Sequence, residues 1–358
     1  MNAQVKQIDF TGQNIYAGFD VHLKSWKVTV MAESFVYKTF TQPPKPEVLY
    51  NYLKNNFPGG TYHTAYEAGY CGYWIHNKLT SYGIKSMVVN PADIPTTHKE
   101  RVQKEDKRDS RKIARSLSAG ELNPIYIPSI QAQEDRSLVR TRSMLIKDLT
   151  RIKNRIKSLL YYYGISIEDA FPHAQSHWSN RFVSWLDGLE LSYDSGKYTI
   201  QALLTEFKHL RGSTLEVTRQ IRLLAQTDTY REKVNLLRTV PGIGLITSMT
   251  ILTELELIDR FSTLDKLCSY IGLVPSTRSS GEKERSGDIT PRGHDTLRTT
   301  LIESSWIAIR NDPSLMRSYL TYSKRMESNK AIIRIAKKLL SRIRFVLLNN
   351  EPYKCSIS

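Results

Sequence analysis

Three short β-rich runs follow one another near the N-terminus, at 15–21, 26–31 and 35–40. Two more, at 62–66 and 84–89, are separated from them and from each other by helical patterns at 46–56 and 74–82. Strands joined by tight links pair antiparallel, and strands separated by a helix pair in parallel. That order predicts an α/β sheet with an antiparallel hairpin side, ended by Asn90-Pro91.

The rest of the chain reads differently. From about 129 to 230, Leu138, Leu145, Leu149, Ile152, Ile156 and Leu159 recur mostly at spacings of three and four, which predicts one long amphipathic helix. Arg136, Arg140, Arg142, Lys147, Arg151, Lys153, Arg155 and Lys157 cover its other faces. Such a helix either packs on its own domain or forms a coiled-coil arm that pairs with another subunit or lies on a nucleic-acid backbone. A second helix is expected over 200–224, broken near Gly212. From about 231 to 350 the pattern is again helical, with Pro241-Gly242-Ile243-Gly244, a Gly-, Ser-, Arg- and Lys-rich loop over 275–293, and a closing basic amphipathic helix over 330–348. The expected fold class is α/β plus all-α, with domains at 1–128, 129–230 and 231–350.

The 358 residues carry a formal net charge of +16, which points to a polyanion, most commonly nucleic acid. Three scattered cysteines, Cys71, Cys268 and Cys355, argue against a structural zinc site or a disulfide framework and fit a reducing cytosol. The polar first residues and the lack of an apolar run of ~20 residues predict a soluble, intracellular protein without a membrane partner.

Asp20 and Glu67 each end an otherwise apolar strand, where a charge is costly unless it is paired or binds a cation. Strand ends are also where sites form in open α/β sheets. Asp106 and Asp109 open a basic helical stretch three residues apart, so they share a face near the favourable N-terminal end. Four carboxylates of this kind can hold two Mg²⁺ or Mn²⁺ ions, which clamp the attacking and leaving oxygens of a phosphodiester. Glu100 and Glu105 are nearby alternatives that spacing does not exclude.

In the C-terminal half, Pro241-Gly242-Ile243-Gly244 is similar to a helix-hairpin-helix turn, whose backbone N–H groups donate to phosphates without reading bases. Downstream stand Gly272-Leu273-Val274-Pro275, Ser279-Ser280-Gly281-Glu282-Lys283, Thr290-Pro291-Arg292-Gly293 and Leu297-Arg298.

Gly18-Phe19-Asp20, Ala65-Tyr66-Glu67, Asp106-x-x-Asp109 and this C-terminal series, in this order, resemble the DEDD transposases of the IS one-ten family of insertion sequences, which includes the Piv-type invertases. The sequence departs from the family pattern at Glu282 and at Pro291-Arg292. The resemblance implies a RuvC-type, ribonuclease-H-like domain with catalytic, metal-binding Asp20, Glu67, Asp106 and Asp109. It further implies a serine that attacks the DNA phosphate: Ser280 first, then Ser279, then Ser276, with Tyr270 as a rival nucleophile. A serine hydroxyl needs activation, which the metal ions could supply if the two domains close on one another. Gly242, Gly244, Lys283, Arg292 and Arg298 would contact nucleic acid. The implied partners are double-stranded donor and target DNA, an element-encoded structured guide (bridge) RNA, and further copies of the chain as a dimer or tetramer. The implied location is the bacterial cytoplasm, at the nucleoid. The expected function is site-specific DNA recombination. The alternatives are a metal-dependent structure-selective endonuclease resembling Holliday-junction resolvases, and a non-enzymatic nucleic-acid scaffold.

Overall fold

The computed structural model describes residues 9–95, 106–280, 283–290 and 292–354, without the side chains at 106–107 and 276–288. The chain divides between Ile127 and Pro128 into two compact units.

The first unit is a five-stranded sheet in the order β3-β2-β1-β4-β5. Its strands are β1 (Asn14–Val21), β2 (Trp26–Ala32), β3 (Phe35–Gln42), β4 (Thr61–Glu67) and β5 (Lys85–Val89). β1, β2 and β3 pair antiparallel, while β4 lies parallel to β1 and β5 parallel to β4. The short links between the first three strands and the helical links before β4 and β5 account for this mixture. Alternation along β1 sends Ile15, Ala17 and Phe19 to one face. There they meet Trp26, Val28 and Val30 of β2, Leu49 and Leu53 of α1 (Pro46–Asn56), and Ile75 and Leu79 of α2 (Trp74–Ser81). The opposite face is covered by α3 (Asp106–Ser118), whose Ile113 and Leu117 pack with Ala65 and Val89.

The second unit is helical. α4 (Ile130–Tyr162) runs unbroken for 33 residues from a Ser129 cap, whose hydroxyl accepts the Ala132 N–H at 3.1 Å. α5 (Ile167–Ala170) and α6 (Asn180–Asp187) follow, and α7 (Asp194–Leu224) returns alongside α4. Two hydrophobic cores form along this pair. Ile152, Ile156 and Leu160 pack with Phe182, Ile200, Leu204 and Phe207 in one, and Val139 and Ile221 join the other. The 3–4 seam read from the sequence is therefore covered at Ile152 and Ile156 by the chain's own helices. α7 also corrects an expectation, because it continues through Gly212. A single exposed glycine costs a helix ~1 kcal/mol, less than the flanking Leu204, Phe207 and Ile221 gain by burial.

The larger core gathers α8 (Arg231–Leu237), α9 (Leu245–Leu255), α10 (Leu264–Ile271), α11 (Asp295–Asn311), α12 (Pro313–Ser323) and α13 (Ser328–Asn349). α13 is its spine, burying Ile332, Ile335, Ala336, Leu339, Leu340 and Ile343 along one face. The stretch at 275–293, which reads as a loop from its composition, holds a two-stranded antiparallel ribbon among its described residues, β6 (Pro275–Ser280) with β7 (Lys283–Ile289). Its polar composition lacks the apolar alternation that marks a strand packed on a core. Among the described residues, no helix is long and apolar enough to cross a membrane.

Candidate active site

The register between β1 and β4 pairs Gly18 with Ala65 and Phe19 with Tyr66, so Asp20 and Glu67 come next, side by side at the carboxyl ends of two parallel strands. Phe19 and Tyr66 stack at 5.2 Å in the core under α1 and α2. Their successors therefore emerge on the opposite face, the one that carries α3. Both carboxylates are half-buried, and an oxygen of Asp20 accepts from His22 Nε2 at 3.1 Å.

What brings α3 so close is Gly18. A Cβ there would stand 2.2 Å from the Ala114 amide nitrogen and 2.7 Å from the Ser110 carbonyl oxygen. Helix backbone thus rests directly on strand backbone, a contact that only glycine allows. One strand over, the hydroxyls of Thr29 and Ser110 share a buried hydrogen bond of 3.0 Å. Asp106 and Asp109 occupy the first turn of this docked helix, immediately before Ser110. Asp109 is half-buried, and the Asp106 side chain lies outside the described residues, as do Glu100 and Glu105 entirely. Among the described residues, no three His, Cys, Asp or Glu side chains are grouped closely enough to hold an ion by themselves. The available donors are carboxylate oxygens, the type that suits Mg²⁺ or Mn²⁺.

In the second unit the candidate serines lie on the ribbon. Ser279 pairs with Glu284 and Ser280 with Lys283; residues 281–282 lie outside the described residues, as do the side chains of Ser276, Ser279, Ser280 and Lys283. The foot of the ribbon is tightly built. Gly272 closes α10 at φ 83°, and a Cβ on Gly293 would meet the Gly272 Cα at 2.5 Å. Arg298 donates to the Thr290 carbonyl at 3.0 Å and to Asp295 at 3.1 Å, and its side chain is only 15% exposed. Its guanidinium ties the exit of β7 to α11. Arg292 is exposed, and its backbone N–H donates to Thr290 Oγ1 at 3.2 Å.

Behind this foot sits a buried carboxylate. Glu254 of α9 is 1% exposed and accepts two bonds from Arg140 of α4, at 2.7 and 2.8 Å. His294 Nε2 lies 3.1 Å from it and Arg136 Nε 3.3 Å. The other ring nitrogen of His294 accepts the Leu297 N–H at 3.3 Å and so caps α11. Burial raises the Glu254 pKa, but the bond from His294, the bonds from Arg140 and their charges outweigh it and hold the carboxyl at about 2. One carboxylate thus joins α4, α9 and the start of α11 directly after the ribbon.

In the 241–244 turn, Gly242 has φ 86° and packs on α11, where a Cβ would stand 2.4 Å from the Ser304 carbonyl. Gly244 is exposed at the start of α9, with open space beside its Cα.

Two family models match the chain. One, described as "Transposase" of the DEDD IS110 type, matches residues 17–165, and the other, "Transposase IS116/IS110/IS902 family", matches 234–321. Two Sinorhizobium fredii chains carrying the transposase designations y4qE and y4rJ are similar. The first is 30% identical over 67% of this chain and 57% of its own length, and the second 29% over 76% and 74%. The transposase for insertion sequence element IS1111A of Coxiella burnetii is 24% identical over 80% of this chain and 78% of its own length. The chain belongs to the IS110 family of transposases.

Within this transposase, the first match spans Asp20, Glu67, Asp106 and Asp109, and the second spans the 241–244 turn, the ribbon and Arg298. The Glu254 cluster escaped the sequence reading. Its signals were a lone acid inside the apolar run Ile251-Leu252-Thr253-Glu254-Leu255 and the four-residue spacing of Arg136 and Arg140. Without the fold, nothing joins a histidine 40 residues further on to them.

Proposed function

We propose that this transposase cuts and rejoins DNA with two sets of its own residues. Asp20, Glu67, Asp106 and Asp109, on a RuvC-like sheet and its docked helix, are the ligands for two divalent ions, Mg²⁺ or Mn²⁺. Ser280 supplies the nucleophile. The single observation that carries the metal reading is that Asp20 and Glu67 directly follow the registered pair Phe19 and Tyr66, on the face where Gly18 admits α3. Bound ions would supply Lewis-acid stabilisation of charge at the phosphate.

The serine hydroxyl loses its proton and its Oγ bonds to phosphorus, while a deoxyribose oxygen departs and takes up a proton. The phosphoserine ester conserves the bond energy until a hydroxyl of the new strand attacks it and releases the serine. Arg292 and Lys283 would stabilise phosphate charge, and the exposed start of α9 at Gly244 would donate backbone N–H groups to the DNA backbone. The half-buried, internally bonded Arg298 acts by holding the ribbon. The charge of +16 supports a polyanionic partner; the family resemblance, and not the charge, is what adds a structured guide RNA beside donor and target DNA, and assembly as a homo-oligomer.

The test is cleavage of DNA carrying the element ends by the full chain with its guide RNA. Wild-type protein cuts with Mg²⁺ or Mn²⁺ and not with EDTA. Asp20→Asn and Glu67→Gln each lower the rate by at least about a hundredfold, since losing only an outer-shell partner of a ligand already costs about 10–100-fold. Undiminished cutting by either variant would remove that residue from the ligand set.

A further inference from the structure

At the foot of the ribbon, away from its tip, lies a groove of about 540 Å³. Leu273 and Pro275 before and on β6, and Ile289 at the end of β7, line one side, and Ile333 of α13 lines the other. The aliphatic walls suit a flat apolar face, and the volume, in the range that takes a drug-sized ligand, leaves room for one heterocycle with its sugar. Along the rim, Lys330, Arg334 and Lys337 follow at spacings of four and three on α13. They form a row about 10 Å long on one side of the helix. Glu327 offsets part of this charge, 3.8 Å from Lys330. Asn329 also borders the groove, and its amide offers a donor and an acceptor together.

A slot with aliphatic walls, a donor–acceptor amide and a row of cations match the three parts of a nucleotide: the face of the base, its edge and the flanking phosphates. We infer that this groove receives one unpaired base of the DNA strand, with the neighbouring phosphates on Lys330, Arg334 and Lys337. Ser280 lies five residues along β6 from Pro275, or about 17 Å in an extended strand. A base held at the foot therefore sits a few nucleotides from a phosphate at the tip, and the groove fixes the register of the strand against the ribbon. The inference rests on the reading of this chain as one that acts on DNA, but not on which residue is the nucleophile.

Fluorescence anisotropy without divalent ions tests it on the full-length protein. The probes are roughly 12-nucleotide single strands with the same phosphates: oligothymidine, an oligomer of abasic tetrahydrofuran residues, and oligouridine RNA. Wild-type protein binds oligothymidine about tenfold more tightly than the abasic strand, as one captured base requires. Ile333→Gln removes the aliphatic wall without adding a charge or an aromatic face, leaves abasic binding unchanged and brings the preference to within about twofold. Asn329→Leu, at an exposed position that leaves the core intact, lowers the preference severalfold at an unchanged melting temperature. Equal binding of thymidine and abasic strands by the wild type overturns the inference. So does full retention of the preference in both variants, or a base-dependent gain seen with oligouridine alone. No cleavage occurs in this assay, so its result is independent of whether Ser280 forms an adduct.

Discussion

Replacing Glu254 by Gln keeps the shape of the side chain and removes its charge. Arg136 and His294, with side chains 14% and 16% exposed, then face a neutral amide, while Arg140, 50% exposed, can turn to water. Removing one partner of a buried ion pair costs about 3–5 kcal/mol, and the exposure of Arg140 favours the lower end. The titration gives the same size: a shift from 4.5 to about 2 corresponds to roughly 3 kcal/mol at ~1.4 kcal/mol per pH unit. Because the folded-state pKa is depressed, this contribution is complete above pH 4.5 and drains away as pH falls from there toward 2. Asp312, buried and held below the usual carboxylate range, also titrates in acid; burial opposes that shift, while the Leu315 N–H and Arg342 drive it. It is common to both proteins and cancels in their difference. In thermal melts at neutral pH, Glu254→Gln should unfold the second unit about 6–12 °C below wild type, at ~2–4 °C per kcal/mol for a unit of this size. The gap should close between pH 4.5 and 2. Melting within about 2 °C of wild type at neutral pH, or a gap that persists unchanged into acid, would refute the reasoning.

Three further outcomes follow from the packing. Gly18→Ala drives a methyl into the backbone of α3, so it should cost at least about 1–3 kcal/mol and abolish cleavage by shifting the helix that carries Asp106 and Asp109; retained activity with unchanged stability would contradict the close approach. Asp109→Asn should stop strand cleavage while leaving the melting temperature within about 2 °C of wild type, and cutting at the wild-type rate would point to Glu105 instead. Ile152→Ala, in the core shared by α4 and α7, should lose about 2–5 kcal/mol in urea melts, whereas a smaller assembly in sedimentation at unchanged stability would mean that this seam faces another subunit.

Strand and helix placement in the first unit was legible because its core residues alternate cleanly: Ile15, Ala17 and Phe19 face α1 and α2. The neighbourhood of Asp20 and Glu67 was legible for a related reason, since each charge stops such a run. The close docking of α3 was not, because a glycine in a strand carries no mark of the helix that presses on it. The ribbon was missed because Ser279, Ser280 and Lys283 give no hydrophobic period. Continuity of α7 was missed because local propensity at Gly212 is outweighed by apolar contacts on either side of it. The Glu254 cluster joins Arg140, Glu254 and His294 across 154 positions of sequence, and only the folded helices bring them together.

The most direct test of the proposed chemistry is to trap the transposase on nicked DNA with Mg²⁺, digest the complex and locate the attached nucleotide by mass spectrometry. The account predicts a phosphodiester on Ser280. An adduct on Ser279 would move the nucleophile by one residue along the ribbon, and an adduct on Tyr270, or free DNA ends with none, would contradict it.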